Sequence, residues 1–171
     1  MKHFHTVVLH LAAVFFLIGT YSLSLDAQDI STASQSDSIS VSIALENNRV
    51  PVGKSPLVFL TVKNLTDRDV PLHTSVHMYR VHVQGPKGEP PTTLLQRRIT
   101  GKLLPGESIG RGDEVVFPIP PSESKVKEFE LVRYHDLSVL GKYTVYIEVY
   151  DESGKWLHTN TAQFEIVAPT Q

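Results

Sequence analysis

Tyr143, Val145, Ile147 and Val149 alternate with Lys142, Thr144, Tyr146 and Glu148, and no other feature of this 171-residue chain limits its fold as tightly. A period of two sets successive side chains on opposite faces of an extended strand, leaving one apolar face to bury and one for water. Ile39, Val41, Ile43 and Leu45 repeat the pattern against Ser40, Ser42 and Ala44, and Ala162, Phe164 and Ile166 repeat it against Gln163 and Glu165. In residues 57–63 both faces are apolar, Val58, Leu60 and Val62 opposing Leu57, Phe59 and Thr61, as suits a strand that is central or covered on both sides.

Turn signals separate these runs. Asn47 and Asn48, the polar stretch at residues 64–69, Gly85-Pro86-Lys87-Gly88 and Asp151-Glu152-Ser153-Gly154 each read as a turn, the last two as hairpins. Short strands are expected at residues 70–72 and 78–84, with residues 92–99 returning as the partner of the latter. Residues 101–124 carry Pro105-Gly106, Gly110, Gly112, Pro118, Pro120 and Pro121, and read as a loop-rich crossing with one short strand at 115–117. Beyond the N-terminal segment nothing of length shows a helical period. Seven to nine short strands without an amphipathic helix predict an all-β fold, an antiparallel two-sheet sandwich, with a closed barrel as the alternative.

Residues 7–18 are almost continuously apolar, interrupted by His10 alone, and follow a short start containing Lys2, the layout of a secretory signal peptide. Cleavage is expected after Ala27, with Ser24 or retention as an uncleaved anchor as the alternatives; a lipoprotein would need a cysteine there. Residues 28–38 are rich in Ser, Thr, Gln and Asp and read as a flexible linker, so the organisation predicted is signal 1–27, linker 28–38 and one domain at 39–168. The exported product is expected in the periplasm or outside the cell, with no membrane span once the signal is removed.

The chain has no cysteine, which removes disulfides, thiolate metal sites, iron–sulfur clusters and cysteine nucleophiles together. An exported domain stabilised by its core alone fits a bacterial envelope or secreted protein. Hydrophobic residues make up 41% and charged residues 20%, enough apolar material for a core, and a net charge of -2 supplies no field to attract nucleic acid.

The run Asp136-Leu137-Ser138-Val139-Leu140-Gly141-Lys142-Tyr143 resembles the Leu-x-x-x-Gly-x-Tyr approach to a late strand in immunoglobulin-like and fibronectin-like sandwiches. The resemblance implies that Tyr143 is a corner tyrosine with a buried ring and a hydroxyl bonded to backbone upstream, that Gly141 holds an unusual dihedral, and that Leu137 completes the signature. Leu140 stands where the family often has proline. Residues 57–67 and Leu103-Leu104-Pro105-Gly106-Glu107 are similar to steps in exported bacterial domains of that class. The scaffold hosts many activities, so function does not follow from it.

Candidate chemistry is sparse. His73, His77 and Met78 lie close in sequence, and His and Met ligands suit copper, but along a strand His73 and His77 share a face that His82 does not. Tyr134-His135-Asp136 suggests a base with its orienting group, yet neighbours on an extended chain diverge, and Asp136 reads better as a turn residue. Arg111-Gly112-Asp113 spells an integrin-binding tripeptide and is read as a turn. Asn64-Leu65-Thr66 fits the N-glycosylation pattern. Arg97, Arg98 and Lys102 form a small basic patch read as a guarded strand edge, and Trp156 is expected at the edge of the core. No cofactor and no catalytic residue is expected. The function expected is a non-catalytic interaction module engaging a protein or glycan through loops, residues 101–124 above all, or a sheet edge; the alternatives are a copper or other metal carrier and, behind it, a hydrolase.

Overall fold

The structure, a computed structural model, describes residues 33–108 and 115–169. The expected signal segment and Arg111-Gly112-Asp113 lie outside the described residues. Among the described residues, eight strands of four residues or more and two of three residues build the fold. Strands β1 (Ile39–Leu45), β3 (Leu57–Asn64) and β7 (Ser124–Glu130) form the first sheet in the order β1-β3-β7, all antiparallel. The second sheet has the order β2-β10-β8-β5, from β2 (Arg49–Pro51), β10 (Ala162–Val167), β8 (Gly141–Tyr150) and β5 (Tyr79–Gln84), with β9 (Trp156–His158) also on β8. A two-stranded ribbon joins β4 (Val70–His73) to β6 (Val116–Ile119).

The inward faces follow from the alternation. Val58, Leu60 and Val62 of β3 and Val145, Ile147 and Val149 of β8 are buried, and Tyr79, Phe129, Tyr143 and Phe164 complete the core between the sheets. β3 is central in its sheet, which is why its second face is also apolar and half covered. The first strand divides: β1 runs antiparallel on β3, and β2, four residues later, runs parallel on β10. This switch from one sheet to the other, together with the strand orders and the tyrosine corner, makes the architecture an immunoglobulin-like sandwich.

The corner has the form that the resemblance implied. Tyr143 is 2% exposed and its hydroxyl donates to the Val139 carbonyl at 2.6 Å. Its ring stacks on Phe164 with centroids 5.2 Å apart. Leu137 is buried, and Gly141 holds φ 131°, where a Cβ would come within 2.8 Å of Pro86. Tyr143→Phe leaves the Val139 carbonyl without its donor, so thermal unfolding should register a loss of about 1 kcal/mol, with near-unchanged near-ultraviolet dichroism because the ring keeps its place.

Three stretches differ from the sequence reading. Residues 92–99 do not return as a strand; they belong to helix α1 (Leu94–Thr100). Pro90 and Pro91 cannot supply ladder donors, the Thr93 side chain caps the Gln96 amide, and Gly101 closes the helix at φ 71°. The helix is only seven residues long, so its period is carried by little more than Leu95 and Ile99, which lean on the core. The Gly85–Gly88 turn does form, each glycine amide bonded to the other's carbonyl, but the chain leaves toward α1 rather than folding back on β5. The last run splits into β9 and β10 at Thr159 and Asn160, for the reason given below.

Candidate functional site

The two sheets turn different chemistry outward. On the first sheet the outward residues include Ser40, Ser42 and Ala44 of β1, Thr61 of β3 and Val126 and Glu128 of β7, which face one another in register. On the second they are Arg80 and His82 of β5, Thr144, Tyr146, Glu148 and Tyr150 of β8, and Trp156 and His158 of β9, again in register. Inward-pointing Val81, Val145, Ile147, Val149 and Leu157 fix this by parity. Trp156, expected at the core edge, therefore lies half-buried on the outer face.

Glu148 is the centre of that face. His82 Nε2 lies 2.8 Å from one carboxylate oxygen and His158 Nε2 3.2 Å from the other, with Arg80 at 3.8 Å. Only an N–H can donate to a carboxylate, so the His82 tautomer is set by this contact. The two imidazoles come from strands on opposite sides of β8 and flank the Tyr146 ring, His82 at 4.5 Å and His158 at 5.6 Å between centroids. Tyr146 is held above its ordinary pKa by burial first, then by the charges of Glu148 and Glu89. The Arg80 guanidinium sits 3.9 Å over the Trp156 ring, which also meets Tyr150 at 5.0 Å.

Of the metal candidates, His73 and Met78 line one small pocket and His77 does not. His73 ends β4 with its carbonyl accepting from the Tyr79 hydroxyl at 2.5 Å, while His77 and Met78 occupy a single 3-10 turn, His77 exposed and Met78 against the core. Among the described residues no three His, Asp or Glu side chains are placed to hold a metal ion. His135 is wholly buried with ring nitrogens 3.3 and 3.2 Å from the Pro90 and Val81 carbonyls, and Asp136 receives the Ser138 amide, so the pair forms a turn and a packed ring rather than an accessible base. The glycosylation pattern is occupied structurally. Asn64 is 0% exposed, and its amide donates to Ile119 and Arg68 carbonyls while its oxygen accepts from Thr66.

The crossing at 101–124 has more structure than its composition suggested. Glu107 reaches back to α1, receiving Arg97 Nε at 3.0 Å and a second Arg97 donor, and also the Leu104 amide at 2.9 Å. The hydrogen bonds from Arg97, then that from Leu104, hold the Glu107 carboxyl down to about 2. A depressed carboxyl stabilises its folded contacts above its ordinary value of 4.5 and loses that contribution as pH falls toward the folded value. The Leu104 amide resonance should therefore titrate with a midpoint near 2 in the native protein, and Glu107→Gln should remove the titration. Arg97 thus anchors a loop rather than guarding a strand edge.

Several strand edges carry features that hinder backbone pairing. On β1 the Asn160 side chain receives the Ile43 amide at 2.8 Å and donates to its carbonyl at 3.1 Å, standing in for a neighbouring strand. This contact and the Thr159 hydroxyl, which accepts the Ile147 amide at 2.9 Å, interrupt the last strand between β9 and β10. On β5 the outward Val81 carbonyl takes the buried Gln96 amide at 2.7 Å and faces His135. Lys127 points inward from edge strand β7 over the Tyr79 ring, its pKa lowered by burial. In the ribbon Pro71 faces Pro118, so neither supplies a donor. These are the devices by which β proteins avoid adding strands.

No family model matches the chain, and no curated protein matches it. Solved structures similar to it include the CARDB domain of a Pyrococcus furiosus protein in complex with di-metal ions, at 16% identity and TM-score 0.42, covering 80% of this chain and 100% of that one. A mutant β-glucosidase from Listeria innocua in complex with laminaribiose is similar at 12% identity and TM-score 0.41 over 78% of this chain and 16% of that one. The alkylpurine DNA glycosylase AlkC of Pseudomonas fluorescens, bound to DNA, follows at 14% identity and TM-score 0.38 over 79% and 32%. At these values no ligand, metal or activity transfers from those proteins to this chain.

Proposed function

We propose that this chain is an exported, non-catalytic module that binds a protein partner through the outer face of the β5–β8–β9 sheet. The observation that carries the reading is the gathering there of Trp156, Tyr150, Tyr146 and Arg80 around Glu148, whereas the outer face of the other sheet mixes Ser40, Ser42 and Thr61 with Phe59 and an exposed Val126 and carries no tryptophan, tyrosine or arginine. Tryptophan, tyrosine and arginine dominate the energetics of protein interfaces. Their mutual stacking fixes the side chains beforehand, which lowers the ordering cost of association.

The same stacking argues for a protein over a glycan. A sugar ring needs a free aromatic face, but Tyr146 has an imidazole on either side and Trp156 carries Arg80. Strand addition is disfavoured by the guarded edges, so side chains rather than backbone carry the contact. Export rests on the apolar segment at 7–18, and the exported form should begin at Gln28 by intact mass. Affinity capture from the native envelope tests the binding reading: Trp156→Ala with Tyr150→Ala should remove the captured partner, and Val126→Ser on the opposite face should leave it. Loss with Val126→Ser alone would reject the assigned face.

A further inference from the structure

We propose that the small pocket beside Tyr146 receives a cationic side chain, lysine or arginine, from the protein docked on this sheet. The inference rests on the interaction face proposed above and adds the chemistry of its anchor. The pocket is about 110 Å³ and is walled by His82, Val83, Gln84, Glu89, Thr144 and Tyr146. Its polar groups are acceptors or can act as acceptors: the Glu89 carboxylate, the Gln84 amide oxygen, and the hydroxyls of Thr144 and Tyr146. No lysine or arginine lines it. A guest with several donors and a positive charge matches this set, with the exposed Glu89 carboxylate as its charged partner.

The surrounding charges point the same way. Glu148 lies beneath Tyr146 on the same strand, and the fields of Glu148 and Glu89 both act on the phenol, as its raised pKa reflects after burial. Arg80 is already committed to Trp156 and Glu148. Both faces of Tyr146 are covered by imidazoles, so a cation enters along the ring edge toward the oxygens rather than by stacking. The pocket sits at the end of the face away from Trp156, so an anchor here and the aromatic contact there would fix a partner at two points along β8.

The test uses the full chain labelled with ¹⁵N and two probes, Nα-acetyl-arginine amide and Nα-acetyl-lysine amide, with Nα-acetyl-citrulline amide as the neutral control. The proposal expects saturable shifts of the Val83, Gln84, Glu89, Thr144 and Tyr146 amides, with a dissociation constant on the order of millimolar for a single side chain. Glu89→Gln should weaken that binding at least fivefold. Equal shifts with citrulline, an unaltered constant in Glu89→Gln, or no saturable shift would overturn it. If the probes fail while Trp156→Ala with Tyr150→Ala still abolishes partner capture, the face stands and the cationic anchor falls. If capture is indifferent to both sets of variants, the face itself falls.

Discussion

Asn64→Asp should destabilise this domain at neutral pH more than Asn64→Ala, and its deficit should shrink on acidification. Asn64 ends β3 with no exposed surface, donating both amide hydrogens to the Arg68 and Ile119 carbonyls at 2.7 and 2.8 Å and accepting from the Thr66 amide and hydroxyl at 2.8 Å each. It ties the turn after β3 to the ribbon strand β6. Alanine removes four hydrogen bonds and strands buried partners, a loss on the order of 3 kcal/mol out of the 5–15 kcal/mol typical of a domain. Aspartate is worse because one carboxylate oxygen then confronts the Ile119 and Arg68 carbonyls. The folded state disfavours that charge, so its pKa in the fold rises above the value in the unfolded chain. The folded state of the variant then holds the extra proton, and its stability falls as pH climbs from about 4 toward the raised value and is regained below it. Denaturant titrations at neutral and acid pH check the ordering and the sign; equal stability of the Asp and Ala variants at every pH would refute the assignment of the two donors.

Gly85→Ala is the second large effect. A Cβ at this position would lie 2.5 Å from Tyr143 Cε1 and 2.9 Å from Cδ1, inside any permissible contact. The ring cannot step aside, because its hydroxyl is bonded to Val139 and its face is stacked on Phe164. The strain therefore falls on the core, and a loss of about 3 kcal/mol is expected from overpacking. Tyr143→Leu removes the obstacle together with useful burial, so the double variant should be more stable than the sum of the two single losses by 1 kcal/mol or more, the sign of a direct contact. Strict additivity would mean that the glycine serves the turn alone.

These two residues also show how much of the molecule was legible beforehand. The corner at Tyr143 could be read because its parts are contiguous, Leu137, Gly141 and Tyr143 within seven positions, and each has a local physical role. The strands with clean alternation were legible for the same reason, since parity is a local property. Helix α1 was not: seven residues give one period of amphipathicity, and its sharpest signs are a capping threonine and a closing glycine, which also occur in turns. The edges were invisible for a different reason. That Asn160 replaces a strand beside Ile43, 117 positions away, depends on the sheets being assembled.

The candidate site was legible only in fragments. His82 stands apart from His73 and His77, which lie on β4 and a 3-10 turn, and its partners Glu148 and His158 lie across two strand pairings. The signal that could have exposed the face is the content of the outward positions of β8 and β9, where Tyr146, Glu148, Tyr150, Trp156 and His158 replace the small polar residues found on β1. The stretch at 101–124 drew attention by composition, and two of its features now have structural roles, Glu107 clasping Arg97 and β6 pairing with β4. Leu104, Val115, Val116 and Phe117, each about half exposed, are among its described residues that face solvent.

Site-specific photocrosslinking in the native cell tests the central claim most directly. A photoreactive residue placed at Gln84 or Tyr150, on the outer face of the second sheet, is predicted to yield a discrete adduct of one partner size. The same probe at Ser42 or Val126, on the first sheet, is predicted to yield none. Adducts from Ser42 or Val126 with silence from Gln84 and Tyr150 would contradict the account.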